Sequence, residues 1–166
     1  MRPIERPLTR FPPFIRASTV RYMEDRHRGK GPMERRRLLV VEDDAAIGSM
    51  VVDLLRPDGF DVTVVADGRK ALDALRSTFD VVLLDVMLPG MDGIAILRAI
   101  REDPATASLP VVMLTAKTDD ESTWAGWRAG CDYFMTKPFD PVELVEVLNR
   151  LQREPRTRTV SDPPKR

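Results

Sequence analysis

Two apolar runs in this chain each end in carboxylates. Leu38–Val41 is followed by Glu42, Asp43 and Asp44, and Val81–Leu84 is followed by Asp85. Neither run alternates apolar with polar residues, which is how a strand covered on both faces reads. In an open parallel α/β sheet the carboxyl ends of the strands face the ligand crevice, so parallel neighbours would bring these acids together. Crowded carboxylates repel and raise one another's pKa unless a cation offsets the charge. Magnesium is the expected offset: it prefers oxygen ligands, keeps several waters, and takes one or two carboxylates together with phosphate oxygens. A single acid after a strand is commonly a helix cap or a turn former. Two acid clusters at two strand ends make a site the better reading.

Two further strand ends add to the set. Val111–Leu114 runs into Thr115, and a fifth strand, Asp132–Thr136, leads to Lys137 and Pro138. Acids, a hydroxyl and an ammonium converging at one sheet edge form a constellation for handling phosphoryl groups. Asp85 is the candidate nucleophile, forming an aspartyl phosphate. Magnesium and Lys137 would stabilise charge on the transferred group, and Thr115 would donate a hydrogen bond to a phosphate oxygen.

The elements that must position these residues alternate along the chain. Ala45–Arg56 has helical periodicity with Asp44 as N-cap, and Pro57 and Gly59 end it. Phe60–Val65 reads as a strand, Arg69–Arg76 as a short helix, and Phe79–Leu84 as the third strand. A helix begins near Asp92 and stops before Pro104. Another runs from Asp119 to Ala129, carries Trp124 and Trp127, and is closed by Gly130. Pro141 suits the first turn of a last helix, whose stripe is Val142, Leu144, Val145, Val147, Leu148 and Leu151. Five strands alternating with five helices predict a parallel sheet with right-handed crossovers. That gives helices on both faces, a doubly wound α/β sandwich of three layers, flavodoxin-like.

At 166 residues the chain has room for one domain plus tails. Its formal charge of zero conceals a division. Residues 38–151 hold 10 Lys+Arg against 20 Asp+Glu, residues 1–37 hold 11 against 4, and residues 152–166 hold 5 against 2. Residues 1–36 are basic, rich in Pro and Arg, and without sustained apolar period, and 153–166 are similar. Both are expected to carry little fixed structure. Met23 and Met33 would serve as alternative starts. A basic arm suits nucleic acid or an anionic membrane, but the acidic middle argues against nucleic acid as a partner. No apolar h-region follows the basic N-terminus and no segment approaches transmembrane length, so a soluble cytoplasmic protein without membrane contact is expected. The one cysteine, Cys131, lies in an apolar context and reads as a small core residue.

The segments VVEDD, LLDVMLPGMDG, MLTA and KPF, in that order over residues 37–152, resemble the receiver domain of two-component response regulators. The resemblance implies a phosphoacceptor at Asp85 and a magnesium site from Glu42, Asp43, Asp85 and the backbone carbonyl of Met87. It gives Thr115 and Lys137 as phosphate-sensing residues and implies a cis Lys137–Pro138 bond. A sensor histidine kinase or histidine phosphotransfer protein would be the donor. Phe134 stands where an aromatic residue rotates with Thr115 in the family; many relatives have Tyr there, so here only burial of the ring can report. The side chains of Met87 and Lys117 would flank the path of attacking water, and the bulk of Met87 is expected to slow loss of the phosphate.

The resemblance implies a signalling domain rather than an enzyme. The expected form is a stand-alone receiver whose Trp124, Trp127 and Phe134 present a phosphorylation-dependent face to a downstream protein or to a second copy of the chain. A relay intermediate is an alternative. So is a DNA-associated factor acting through the basic arms. A haloacid-dehalogenase-like phosphatase also uses an aspartyl phosphate, but needs a second Asp two residues on, where this chain has Met87.

Overall fold

The computed structural model describes residues 35–116 and 120–153. The strands are β1 (Arg36–Val41), β2 (Phe60–Val65), β3 (Val81–Asp85), β4 (Val111–Thr115) and β5 (Tyr133–Thr136). The helices are α1 (Ala45–Leu55), α2 (Gly68–Ala74), α3 (Gly93–Glu102), α4 (Asp120–Ala129) and α5 (Pro141–Arg153). Expectations for 1–34 and 154–166, for Lys117, and for the side chain of Trp124 lie outside the described residues.

All five strands are parallel, in the order β2-β1-β3-β4-β5. Successive residues of a strand point to opposite faces, and the burial follows that rule. Leu38, Val40, Leu83, Val112 and Leu114 pack with Met50, Val51, Leu54 and Leu55 of α1 and with Leu144, Val145 and Leu148 of α5. Leu39, Val41, Val82, Leu84, Val111 and Met113 pack on the other face with Ala71 of α2 and with Ile94, Ile96, Leu97 and Ile100 of α3. The inner strands β1, β3 and β4 carry unbroken apolar runs because each face has its own helical cover, whereas the edge strand β2 exposes Asp61 and Thr63. The doubly wound, flavodoxin-like sandwich is therefore the observed fold, and β3 is its central strand.

Asp44, Asp67 and Asp92 cap α1, α2 and α3, each accepting from amides of the first turn. Gly130, at φ +90°, closes α4 in the left-handed conformation that glycine adopts without steric cost. Cys131 is buried in the second core, as its context suggests.

Several boundaries differ from those the periodicity predicts. β1 starts at Arg36 because its guanidinium lies 4.0 Å from the centre of the Phe60 ring and donates to Asn149 Oδ1 at 2.7 Å. β3 starts at Val81, and Asp80 just before it accepts from the Arg37 amide at 2.6 Å. β5 starts at Tyr133, since the Asp132 carboxylate is engaged by the Val111 amide at 2.8 Å.

Candidate functional site

β1 and β3 are neighbours with Val41 opposite Leu84, so Glu42 and Asp85 emerge side by side at the carboxyl edge. Glu42 is 2% exposed and Asp85 4%, whereas Asp43 is exposed. One carboxylate oxygen from each of the three lies within 4.8 Å of the others. Asp44, the fourth acid in the sequence, is taken up by its capping role: Oδ1 accepts from the Ala46 amide at 2.8 Å. The donor set is oxygen only, as a hard divalent cation requires.

Lys137 enters from the end of β5. Its Nζ lies 2.5 Å from Asp85 Oδ2 and 2.6 Å from Glu42 Oε2. Lys137 thus bridges the two buried acids, hydrogen-bonded to Asp85 and ion-paired with Glu42. Burial pushes the Glu42 carboxyl above its ordinary range; Lys137 pulls it back and the Asp85 charge adds to the rise. Burial opposes the charge on Lys137, but the hydrogen bonds and attraction of Asp85 and Glu42 outweigh it and hold the ammonium above the usual lysine range. Both groups thus hold their protons more tightly, which disfavours the charge on Glu42 and favours it on Lys137.

The backbone completes the frame. The Met87 amide donates to Asp85 Oδ1 at 2.9 Å, the Val86 amide to the Leu114 carbonyl at 2.8 Å, and the Lys137 amide to the Thr115 carbonyl at 2.7 Å. Thr115 is the last residue of β4 and is buried beside this edge. The Lys137–Pro138 bond is cis. The Met87 side chain is 69% exposed at the rim. The Met87 amide was not singled out from the sequence, although an Asp commonly binds the backbone two residues on.

Phe134 and Trp127 form a separate group. Their ring centres are 6.1 Å apart at 44°. Gly126 makes room for Phe134: a Cβ there would lie 2.4 Å from Cε2 of the ring. Trp127 is partly buried against the second core; the notch at Gly126 draws Phe134 under α4 and Trp127 packs on it.

This edge can be compared with known proteins. The family model for the response regulator receiver domain matches residues 38–149. The chain belongs to that family. Among curated relatives, the DNA-binding response regulator MtrA of Mycobacterium tuberculosis is 49% identical over 121 residues, 72% of this chain and 52% of the relative. The phosphate regulon transcriptional regulatory protein PhoB of Escherichia coli is 40% identical over 119 residues, 71% and 52% of the two chains. This receiver chain thus spans about half the length of the curated relatives it matches. Among solved structures, the chemotaxis response regulator CheY4 of Vibrio cholerae has a TM-score of 0.66 at 35% identity, over 70% of this chain and 98% of that one. The receiver domain of the sensor histidine kinase PA1611 from Pseudomonas aeruginosa, solved with magnesium coordinated in its active-site cleft, has a TM-score of 0.67 at 32% identity, over 72% and 99%.

The receiver assignment agrees with the expectation of a signalling domain. Two sequence expectations gain no support. Relatives named as a DNA-binding response regulator and a transcriptional regulatory protein do not favour setting nucleic acid aside as a partner, nor do they favour a stand-alone receiver. Among the described residues no helix is long and apolar enough to cross a membrane.

Proposed function

We propose that the chain is a phosphorylation switch in the cytoplasm, with Asp85 accepting a phosphoryl group from a histidine kinase or a histidine phosphotransfer protein. The observation that carries this reading is the contact of Lys137 Nζ with both Asp85 Oδ2 and Glu42 Oε2, beside the exposed carboxylate of Asp43. A carboxylate oxygen of Asp85 attacks phosphorus; the bond from phosphorus to the donor imidazole nitrogen breaks, and the imidazole leaves with its electron pair. Lys137, already held charged, then meets the negative phosphoryl oxygens. Thr115 donates its hydroxyl to one of them.

Glu42, Asp43, Asp85 and the Met87 backbone carbonyl would hold magnesium. The all-oxygen donor set, with one carboxylate oxygen from each of three acids within 4.8 Å of the others, fits that ion. Magnesium supplies charge neutralisation for the approach of the phosphoryl group.

Output passes through a face that includes Phe134, toward a downstream protein, a second copy of the chain, or a further carrier in a relay. A second reading has support from the printed names of the relatives: the receiver governs nucleic-acid binding, with the basic residues 1–37 and 152–166 contributing charge. Binding that weakens steeply with salt separates it from the first.

The deciding experiment incubates the chain with acetyl phosphate and magnesium and reads intact mass, beside Asp85→Ala. One added phosphate on the unmutated chain and none on the variant is expected. No addition to the unmutated chain overturns the reading.

A further inference from the structure

Two glycines outside the acidic site stand against the segment that carries it. Gly93, the first residue of α3, is pressed onto the backbone of Asp85: a Cβ built there would lie 2.0 Å from the Asp85 carbonyl oxygen and 2.9 Å from Val86 Cα. The Gly93 amide donates to the Val86 carbonyl at 2.9 Å, so the approach is bonded as well as close. Gly68, the first residue of α2, seats the other end of the segment. A Cβ there would lie 2.8 Å from Met91 Cβ and 3.1 Å from Met91 Sδ. Neither residue has positive φ, so both are needed for space rather than for backbone freedom.

Between these contacts runs Val86–Asp92, whose Met87 amide holds Asp85 Oδ1 at 2.9 Å. We propose that Gly93 and Gly68 are positioning residues that clamp this segment from two helix starts and so fix Asp85 and the Met87 carbonyl relative to Glu42 and Asp43. Any side chain at position 93 must displace main chain, because every atom it meets within 3.0 Å is backbone. At position 68 the obstruction is a side chain, which yields in part. The two sites should therefore differ in size of effect. Displacing a reacting group by about 1 Å costs up to about a hundredfold in rate, so Gly93→Ala is expected to slow phosphorylation at least about tenfold and Gly68→Ala about threefold.

Gly90 supplies the control. It lies in the same segment with φ +78°, and a Cβ there meets nothing within 4 Å. Its glycine serves conformation alone, and Asn tolerates that conformation. Gly90→Asn is expected to phosphorylate within about twofold of the unmutated rate, since asparagine adopts left-handed backbone more readily than other side chains.

The inference rests on phosphorylation at Asp85, and the test keeps the two apart by requiring first that the unmutated full chain gains phosphate. Rate of uptake by intact mass and the magnesium concentration giving half-maximal rate are then measured on each variant, with folded fraction from circular dichroism. A purely structural role lowers the unfolding midpoint and leaves both quantities unchanged in folded protein. Slower uptake together with a higher magnesium concentration for half-maximal rate in folded Gly93→Ala supports the clamp; unchanged values overturn it. Should Gly93→Ala not fold, Gly68→Ala decides by the same two measurements. A Gly90→Asn loss as large as that of Gly68→Ala also overturns it, because crowding would then not be the cause.

Discussion

The two poles of the sheet use charge in opposite ways. At the amino pole, Arg101 of α3 donates to the Gly130 carbonyl at 2.9 Å, to the Leu109 carbonyl at 2.8 Å and to Asp132 Oδ2 at 2.9 Å, and Asp132 also takes the Val111 amide. Cation and anion balance there, and each bond joins a different element. At the carboxyl pole, among the described residues, the three clustered carboxylates and the ammonium of Lys137 sum to a net charge of −2. Balanced charge ties α3 to the starts of β4 and β5; unbalanced charge waits for a ligand. A charged cluster in a fold is thus read by its sum as well as by its burial.

The contrast breaks most sharply with one variant at each pole. Asp85→Ala should lose phosphate uptake entirely while keeping its unfolding midpoint, because relief of repulsion among the acids offsets the lost bond to Lys137, which retains Glu42 as partner. Arg101→Leu should do the reverse. Stripping one partner from a fully buried pair costs about 3–5 kcal/mol, and this partly buried pair should show a smaller loss, visible as a lower urea midpoint, while the protein that remains folded still takes up phosphate. Loss of uptake in folded Arg101→Leu would mean that the poles are not independent.

Divalent cations should act at one pole only. Magnesium at about a hundred times its dissociation constant should raise stability by about 2.7 kcal/mol, chelation should reverse the gain, and Asp43→Asn should shift the titration to higher concentration. A smaller effect follows from Glu42, whose carboxyl is raised by burial. A carboxyl raised in the folded state contributes stability below its ordinary value of 4.5 that is lost as pH rises through the raised value. Glu42→Gln should therefore raise the midpoint at neutral pH without divalent ions, by about 2 °C, while weakening magnesium binding. A lower midpoint would show that the ion pair with Lys137 outweighs burial. The smallest expected change is at the rim: Met87→Asn should shed phosphate about threefold faster, equivalent to about 0.7 kcal/mol of barrier, and an unchanged rate would remove Met87 from the path of water.

The carboxyl pole was largely legible in the sequence, because a buried parallel strand shows no alternation and ends abruptly on its candidate site residue. Glu42, Asp43, Asp85, Thr115 and Lys137 all stand at such ends. The amino pole was not. Arg101 in an amphipathic helix reads as part of a solvated face, and Asp132 as the start of a strand; only tertiary contact reveals that they bind one another. Gly93 and Gly68 escaped for a different reason, since clearance for a neighbour's backbone leaves no trace in periodicity. The glycine notch at Gly126 that seats Phe134 beside Trp127 was likewise invisible in the periodicity.

Lys137 reaches both the acid proposed to receive the phosphoryl group and an acid proposed to hold the metal. An arriving ion therefore finds two of its oxygens already claimed, and occupancy becomes a contest rather than a permanent fixture. Under the proposed function, the switch would take its setting from the ionic composition around it as well as from its donor, and would answer only while both were supplied.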